Sequence, residues 1–283
     1  MRQVSIGEGF GRVNLIGEHL DYNGGHVLPL QIKNKIICEI IKNENNNFIS
    51  IDSDKYNDSL MVKKLERRND WTDFIIGSCL FFEKRFSITV NNISISIKSS
   101  LPLGIGLSSS AAITVSTLKS LSNYFHKNMT DEELINLACE VENDFVGVGG
   151  GVMDQFVSVL GNHNEALFLN TLNKNYELIP IFPDYEFLVI DSNTQRILSD
   201  TEFNKKKELC LTAVGDRFSS RRQPKKRSAR RAPPPRRPAP RRRRRATAAS
   251  ADCSWKAARA ATKSRRKSAR PPPACLLYTS AAA

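Results

Sequence analysis

The chain has 283 residues and carries 42 Lys and Arg against 29 Asp and Glu, a net charge of +13, which is length enough for one large domain or two ordinary ones. The charge is confined: residues 215–283 hold 22 of the basic residues and only two acids, so residues 1–214 are mildly acidic. A globular body built to bind a polyanion is thereby excluded, and no run of roughly 18 or more apolar residues offers a membrane span.

Residues 4–32 read as two short strands around a Gly-rich loop. The stretch 11–29, GRVNLIGEHLDYNGGHVLP, places Arg12, Glu18, His19 and Asp21 at the mouth of an apolar run, with Gly17, Gly24 and Gly25 as punctuation. A charged turn between two strands would give similar polar residues, but the glycine density and the later motifs favour a ligand site. Residues 36–41 form a β-branched run, and the Asn-rich 43–47 reads as a hairpin turn before a strand at 48–51. Asp73–Phe86 reads as a helix with an apolar face, and 87–98 alternates as a strand.

The loop 101–110, LPLGIGLSSS, leads directly into a helix over 111–125. Thr130 opens a capping box with Glu133, followed by apolar residues at helical spacing. Glycines at 147 and 149–151 break the chain before a helix over 152–160, and strands follow at 166–170, 176–182 and 186–191. Residues 201–214 read as the opening of a further helix. Strands and helices alternate without a regular βαβ repeat, so the expected class is α+β or irregular α/β.

Two further stretches carry chemistry. A Gly-rich loop opening a helix presents free N–H groups and the positive end of the helix dipole to an anion. Gly104 and Gly106 permit close approach, and Ser108, Ser109 and Ser110 add hydroxyls; taken alone the string is also a plain helix start. No Walker A pattern occurs, which excludes a P-loop nucleotidase. In 140–155, EVENDFVGVGGGVMDQ, Glu142 sits on the capped helix and the glycine loop delivers Asp154. One carboxylate suits Mg²⁺, which takes one or two with phosphate oxygens and waters, and the other suits a base.

Together the three motifs closely resemble those of the galactokinase family, within the GHMP superfamily of small-molecule kinases, over residues 1–214. The resemblance implies a GHMP-kinase N-terminal domain, ribosomal-protein-S5-domain-2-like, over 1–182, with the start of an incomplete C-terminal domain over 183–214. It implies ATP-dependent phosphorylation of galactose at the C1 hydroxyl, with Asp154 as base and Arg12 stabilising the developing charge. Glu18, His19, Leu20, Asp21, Gly151 and Phe203 would line the sugar. Gly104, Ile105, Gly106, Leu107, Ser108, Ser109 and Ser110 would cradle ATP, Ser110 and Glu142 would hold Mg²⁺, and Trp71 would lie near the adenine. Leu20 stands where the family commonly has Thr, Phe10 where it has Pro, and Phe203 where it has a Tyr that reaches the sugar.

Phe203 leaves open a related sugar such as N-acetylgalactosamine or arabinose, and a non-catalytic sugar sensor is a second alternative. Residues 215–283 hold nine of the 13 prolines and the run Arg241–Arg245, a composition that does not fold on its own. A nucleic-acid-binding tail, a linker and an out-of-frame, non-native segment compete for it; the abrupt change inside a helix pattern favours the last. No specific nucleic-acid partner is therefore expected. The six cysteines, lacking metal-type spacing, read as thiols of a reducing compartment. With no apolar leader at 1–4, a cytoplasmic monomer is the expectation.

Overall fold

In the strand Val4–Asn14 (β1), glycines at 7, 9 and 11 fall at every second position, which puts them all on one face. That face lies directly against the helix Ser109–Tyr124 (α2): a Cβ on Gly7 would stand 2.0 Å from the Ser116 carbonyl oxygen, and one on Gly9 2.0 Å from that of Ala112. Strand and helix therefore meet backbone to backbone. This close approach brings the α2 N-terminus beside the end of β1.

The computed structural model describes residues 4–44, 47–55, 58–102, 104–181, 186–191, 208–210, 212 and 274–279. The short strand His26–Val27 (β2) is followed by Pro29–Lys42 (β3), Ile49–Ser53 (β4) and Asp58–Val62 (β5). Helix Asp73–Phe86 (α1) and strand Ile93–Ser99 (β6) precede α2. Then come helix Asp131–Glu140 (α3), a π-turn at Val141–Val146, helix Met153–Leu160 (α4), and strands Glu165–Asn170 (β7), Tyr176–Pro180 (β8) and Glu186–Asp191 (β9).

An eight-stranded sheet runs β2-β7-β3-β6-β4-β5, with β1 paired to β3 and β8 to β7. All its pairs are antiparallel except β4 with β6. The main core lies between this sheet and α1 and α2, around Cys38, Ile40, Ile93, Ile95, Phe82 and Leu118. A second cluster, including Ile135, Met153, Phe156 and Leu167, seats α3 and α4 against β7. Cys38 and Cys79 are fully buried thiols; burial pushes Cys38 up to about 12 and raises Cys79 as well. No helix among the described residues is long and apolar enough to cross a membrane.

Several expectations are met closely. Asp73–Phe86 is helical over the expected span, and Thr130 and Glu133 form both bonds of the capping box. Three are corrected. Residues 43–47 do not close a hairpin, because β6 inserts between β3 and β4. The strand expected over 87–98 begins only at Ile93, since Ser87 and Asn92 take left-handed backbone angles, φ 51° and 55°, that break an extended run. Of the basic stretch 215–283, the segment Ala274–Thr279 is a strand (β10), parallel to β9. It contains that stretch's one run of large apolar residues, CLLY, and an edge strand offers unpaired N–H and C=O groups to such a run. Residues 201–207 of the expected late helix lie outside the described residues, while 208–210 and 212 are helical.

Candidate active site

Arg12 lies near the end of β1, just past an irregularity in the pairing with β3 between Phe10 and Arg12. Its backbone N–H donates to the Leu107 carbonyl at 3.1 Å, and its Nη1 donates to the Gly106 carbonyl at 3.0 Å. The glycine loop is thus laced to the strand by one residue. The guanidinium then forks onto Asp154, Nε to Oδ1 at 2.8 Å and Nη2 to Oδ2 at 3.0 Å. A planar, bidentate pair of this kind fixes orientation as well as charge. Asp154 arrives on the first turn of α4, 142 residues away in sequence.

Ser108 supplies the third contact to that carboxylate, its Oγ donating to Asp154 Oδ2 at 2.5 Å. A serine preceding a helix ordinarily adopts an extended backbone and caps the first N–H groups with its side chain. Here Ser108 has φ 60° and ψ 42° and makes no cap bond. The left-handed backbone turns its hydroxyl to Asp154 and leaves the first amides of α2 without a side-chain cap. Those amides, with the helix dipole behind them, suit an anion.

The loop after β1 brings Asp21 to the same place. A Cβ on Gly151 would stand 2.3 Å from Asp21 Oδ2 and 2.7 Å from its backbone carbonyl carbon, so only a bare glycine fits between. The Asp21 carboxyl is raised above the ordinary carboxylate range by burial and then by the charge of Asp154, with Arg12 opposing. The Arg12 guanidinium, paired with Asp154, also acts on Asp21 through its charge. The loop is pinned by Thr171 Oγ1, which donates to the Leu20 and Gly25 carbonyls at 3.0 Å, and by Asn23 Nδ2 on the His19 carbonyl at 2.7 Å. His19, at φ 60°, meets the Tyr22 hydroxyl through Nδ1 at 2.5 Å. Burial, then Cys210 and Asp21, push the Tyr22 hydroxyl up to about 12.

Glu142 sits two residues beyond the end of α3, on the π-turn rather than on the capped helix itself. Its carbonyl accepts the N–H groups of both Gly147 and Val148, and such extra-residue turns recur at functional sites. The side chain is buried. Its carboxyl is pushed up to about 8 by burial first and the Asp154 charge second, against hydrogen bonds from Gln155 and Ser110. Among the described residues no three His, Cys, Asp or Glu cluster as metal ligands. Mg²⁺ needs no such cluster, since it takes one or two carboxylates with phosphate oxygens and waters. Glu142 and Ser110 offer hard oxygen donors, and the neighbouring Gln155 Oε1 is a buried acceptor without a partner. The residues present fit that ion.

The structure thus joins Arg12, Asp154, Ser108, Gly106, Leu107, Asp21 and Gly151 in one constellation, and Glu142 with Ser110 in another that feels the charge of Asp154. Gly104 (φ 72°), Ile105 and Ser109 complete the loop and helix start. Glu18 and Leu20 are exposed on the Asp21 loop, and Trp71 packs half-buried against the core just before α1. Phe203 lies outside the described residues. Sequence reading passed over Tyr22 as the partner of His19, Gln155 as the partner of Glu142, and the Ser108 bond to Asp154. The first two stand inside motifs already noted. The third depends on a backbone angle that residue type does not announce.

Residues 10–41 match the galactokinase galactose-binding signature, and residues 73–162 match the GHMP kinases N terminal domain. The chain is 42% identical over 201 residues to the galactokinase of Thermotoga petrophila, covering 71% of this chain and 56% of that protein. It is 33% identical over 209 residues to the galactokinase of Lacticaseibacillus casei, covering 72% and 54%. Among solved structures, Lactococcus lactis galactokinase complexed with galactose aligns with TM-score 0.67 and 26% identity over 79% of this chain and 59% of that one. Methanococcus jannaschii mevalonate kinase, at TM-score 0.55 and 22% identity over 62% of this chain and 56% of that one, shares the fold. The chain spans a little over half the length of the curated relatives it matches.

Proposed function

This chain belongs to the galactokinase family, of which it carries a partial segment, and from that premise we propose that it is the sugar- and ATP-binding portion of an ATP-dependent galactose 1-kinase. The observation that carries the proposal is the junction at Asp154, where a strand, a glycine loop and a helix each deliver one group. Residues 1–182 form the N-terminal sugar and ATP domain and 183–214 open the C-terminal one. A cytoplasmic monomer acting on galactose suits this reading.

Phosphoryl transfer asks little covalent chemistry of a protein; positioning and charge neutralisation dominate. Asp154 Oδ2 already accepts from Arg12 and Ser108, whereas Oδ1 accepts only from Arg12 Nε. Oδ1 is therefore the oxygen with room to receive the C1 hydroxyl proton. Arg12, held by Gly106 and Asp154, stands ready to neutralise charge as the phosphoryl group passes. Asp21, with Glu18 and His19 on its loop, orients the remaining sugar hydroxyls. The uncapped N-terminus of α2 and the glycines before it hold the nucleotide phosphates. Ser110 and Glu142 would hold magnesium, which would supply positive charge to offset that of the phosphates.

The test is sugar-dependent ADP release by the chain completed with the C-terminal part of a Thermotoga galactokinase. A panel of galactose, N-acetylgalactosamine and arabinose reads the specificity. Galactose turnover supports the proposal, and preference for another sugar moves it to a related 1-kinase. Binding of galactose and ATP without turnover points instead to a sensor.

A further inference from the structure

Gln155 follows Asp154 on the first turn of α4 and is only 2% exposed. Consecutive helical residues point about 100° apart, so one turn of helix serves two parts of the site. Asp154 reaches Arg12, and Gln155 reaches back to the π-turn, where its Nε2 donates to Glu142 Oε1 at 2.8 Å. Its own Oε1 is buried with no hydrogen-bond partner. A buried acceptor left unpaired is unfavourable, and the N–H bond to Glu142 does nothing for it. Packing alone therefore does not account for an amide here.

On the reading that Glu142 and Ser110 take the magnesium ion, we propose that Gln155 is a positioning residue for that ion. Its N–H fixes the orientation of the Glu142 carboxylate, and its carbonyl oxygen accepts a hydrogen bond from the ion's retained water. Magnesium dehydrates reluctantly and keeps several waters, each a donor in search of an acceptor. Partners that orient a metal-binding carboxylate set affinity by about 10- to 100-fold. Because Gln155 and Asp154 are neighbours on one rigid turn, the ion and the base are held in a fixed relation.

The full chain, saturated with ADP, is titrated with Mn²⁺ as a spin-active stand-in for Mg²⁺ and free ion is read by electron paramagnetic resonance. Gln155→Met keeps the size of the side chain and removes both polar atoms. It is expected to weaken Mn²⁺ binding about 10- to 100-fold while ADP affinity in EDTA stays unchanged, an outcome a purely structural role does not produce. In a Glu142→Gln background the same change costs less than it does in wild type, because the part exerted through the Glu142 carboxylate is already gone. If Glu142→Gln weakens Mn²⁺ binding and Gln155→Met does not, the role of Gln155 is overturned and the Glu142 site stands. If neither variant weakens it, or the wild-type chain takes up no Mn²⁺, the site itself is wrong and the proposal falls with it. Should Gln155→Met not fold, the ¹⁵N side-chain amide resonance of Gln155 is followed in the wild-type ADP complex as Mg²⁺ is added. A shift supports the proposal, and an unmoved resonance overturns it.

Discussion

Replacing Gly151 by alanine drives a methyl group into Asp21. The new carbon would stand 2.3 Å from Oδ2 and 2.5 Å from Cγ, and 2.7 Å from the backbone carbonyl carbon, where ordinary contact begins at 3.4 Å. The carboxylate is the end of a side chain and can turn aside. The backbone carbon cannot move without carrying the loop with it, and Thr171 and Asn23 pin that loop. Overpacking of this order costs about 1–3 kcal/mol. Borne wholly by sugar binding, that is roughly 5- to 150-fold in affinity; borne by the fold, it appears as a lower melting temperature. Isothermal titration with galactose and a thermal melt on the same sample measure both shares. Gly150→Ala is the control, because a Cβ there meets nothing within 4 Å. A Gly151→Ala chain that binds galactose like wild type and melts at the same temperature would refute the packing of Asp21 on Gly151.

Three further outcomes are expected. Asp154→Asn abolishes ADP release in the completed chain while ATP affinity, measured by titration, is largely kept; undiminished turnover removes Asp154 as base. Because the folded Glu142 carboxyl is raised to about 8, above its ordinary value of 4.5, the stability it supports is full at acid pH and is lost as pH rises through that window. The loss is on the order of 1 kcal/mol per pH unit. Urea denaturation of wild type and Glu142→Gln in metal-free buffer isolates this slope, and parallel pH dependences contradict it. Thr130→Ala removes the cap of α3 and lowers unfolding free energy by about 0.5–2 kcal/mol, again read from urea curves; an unchanged midpoint contradicts the cap.

Local chemistry was the most legible part of this chain. Thr130 and Glu133 announce a helix start through spacing alone, and the apolar face of Asp73–Phe86 announces its helix through periodicity. Pairing across the sheet was not legible, because the Asn-rich segment after β3 looks the same whether it turns back or crosses over β6. Ser87 and Asn92 delay the start of β6: Ser87 is the left-handed C-cap of α1, and Asn92 also takes a left-handed angle, so the alternating apolar pattern overstates the strand. In the site, Arg12 and Asp154 stand too far apart in sequence for spacing to join them, and motif resemblance supplied that link. Neither the left-handed Ser108 nor the π-turn leaves a mark in composition or period.

That π-turn makes Glu142 sensitive to residue count rather than residue kind. Each residue advances a helix by about 100°, so deleting one between 141 and 146 would let α3 run on regularly and swing the following glycine loop, with Asp154 at its end, around the axis. The exposed Asp144 can thus be exchanged for many side chains with little effect, yet cutting it out would part the carboxylate from its glutamine. Length, in these six positions, is what keeps two acidic groups on speaking terms.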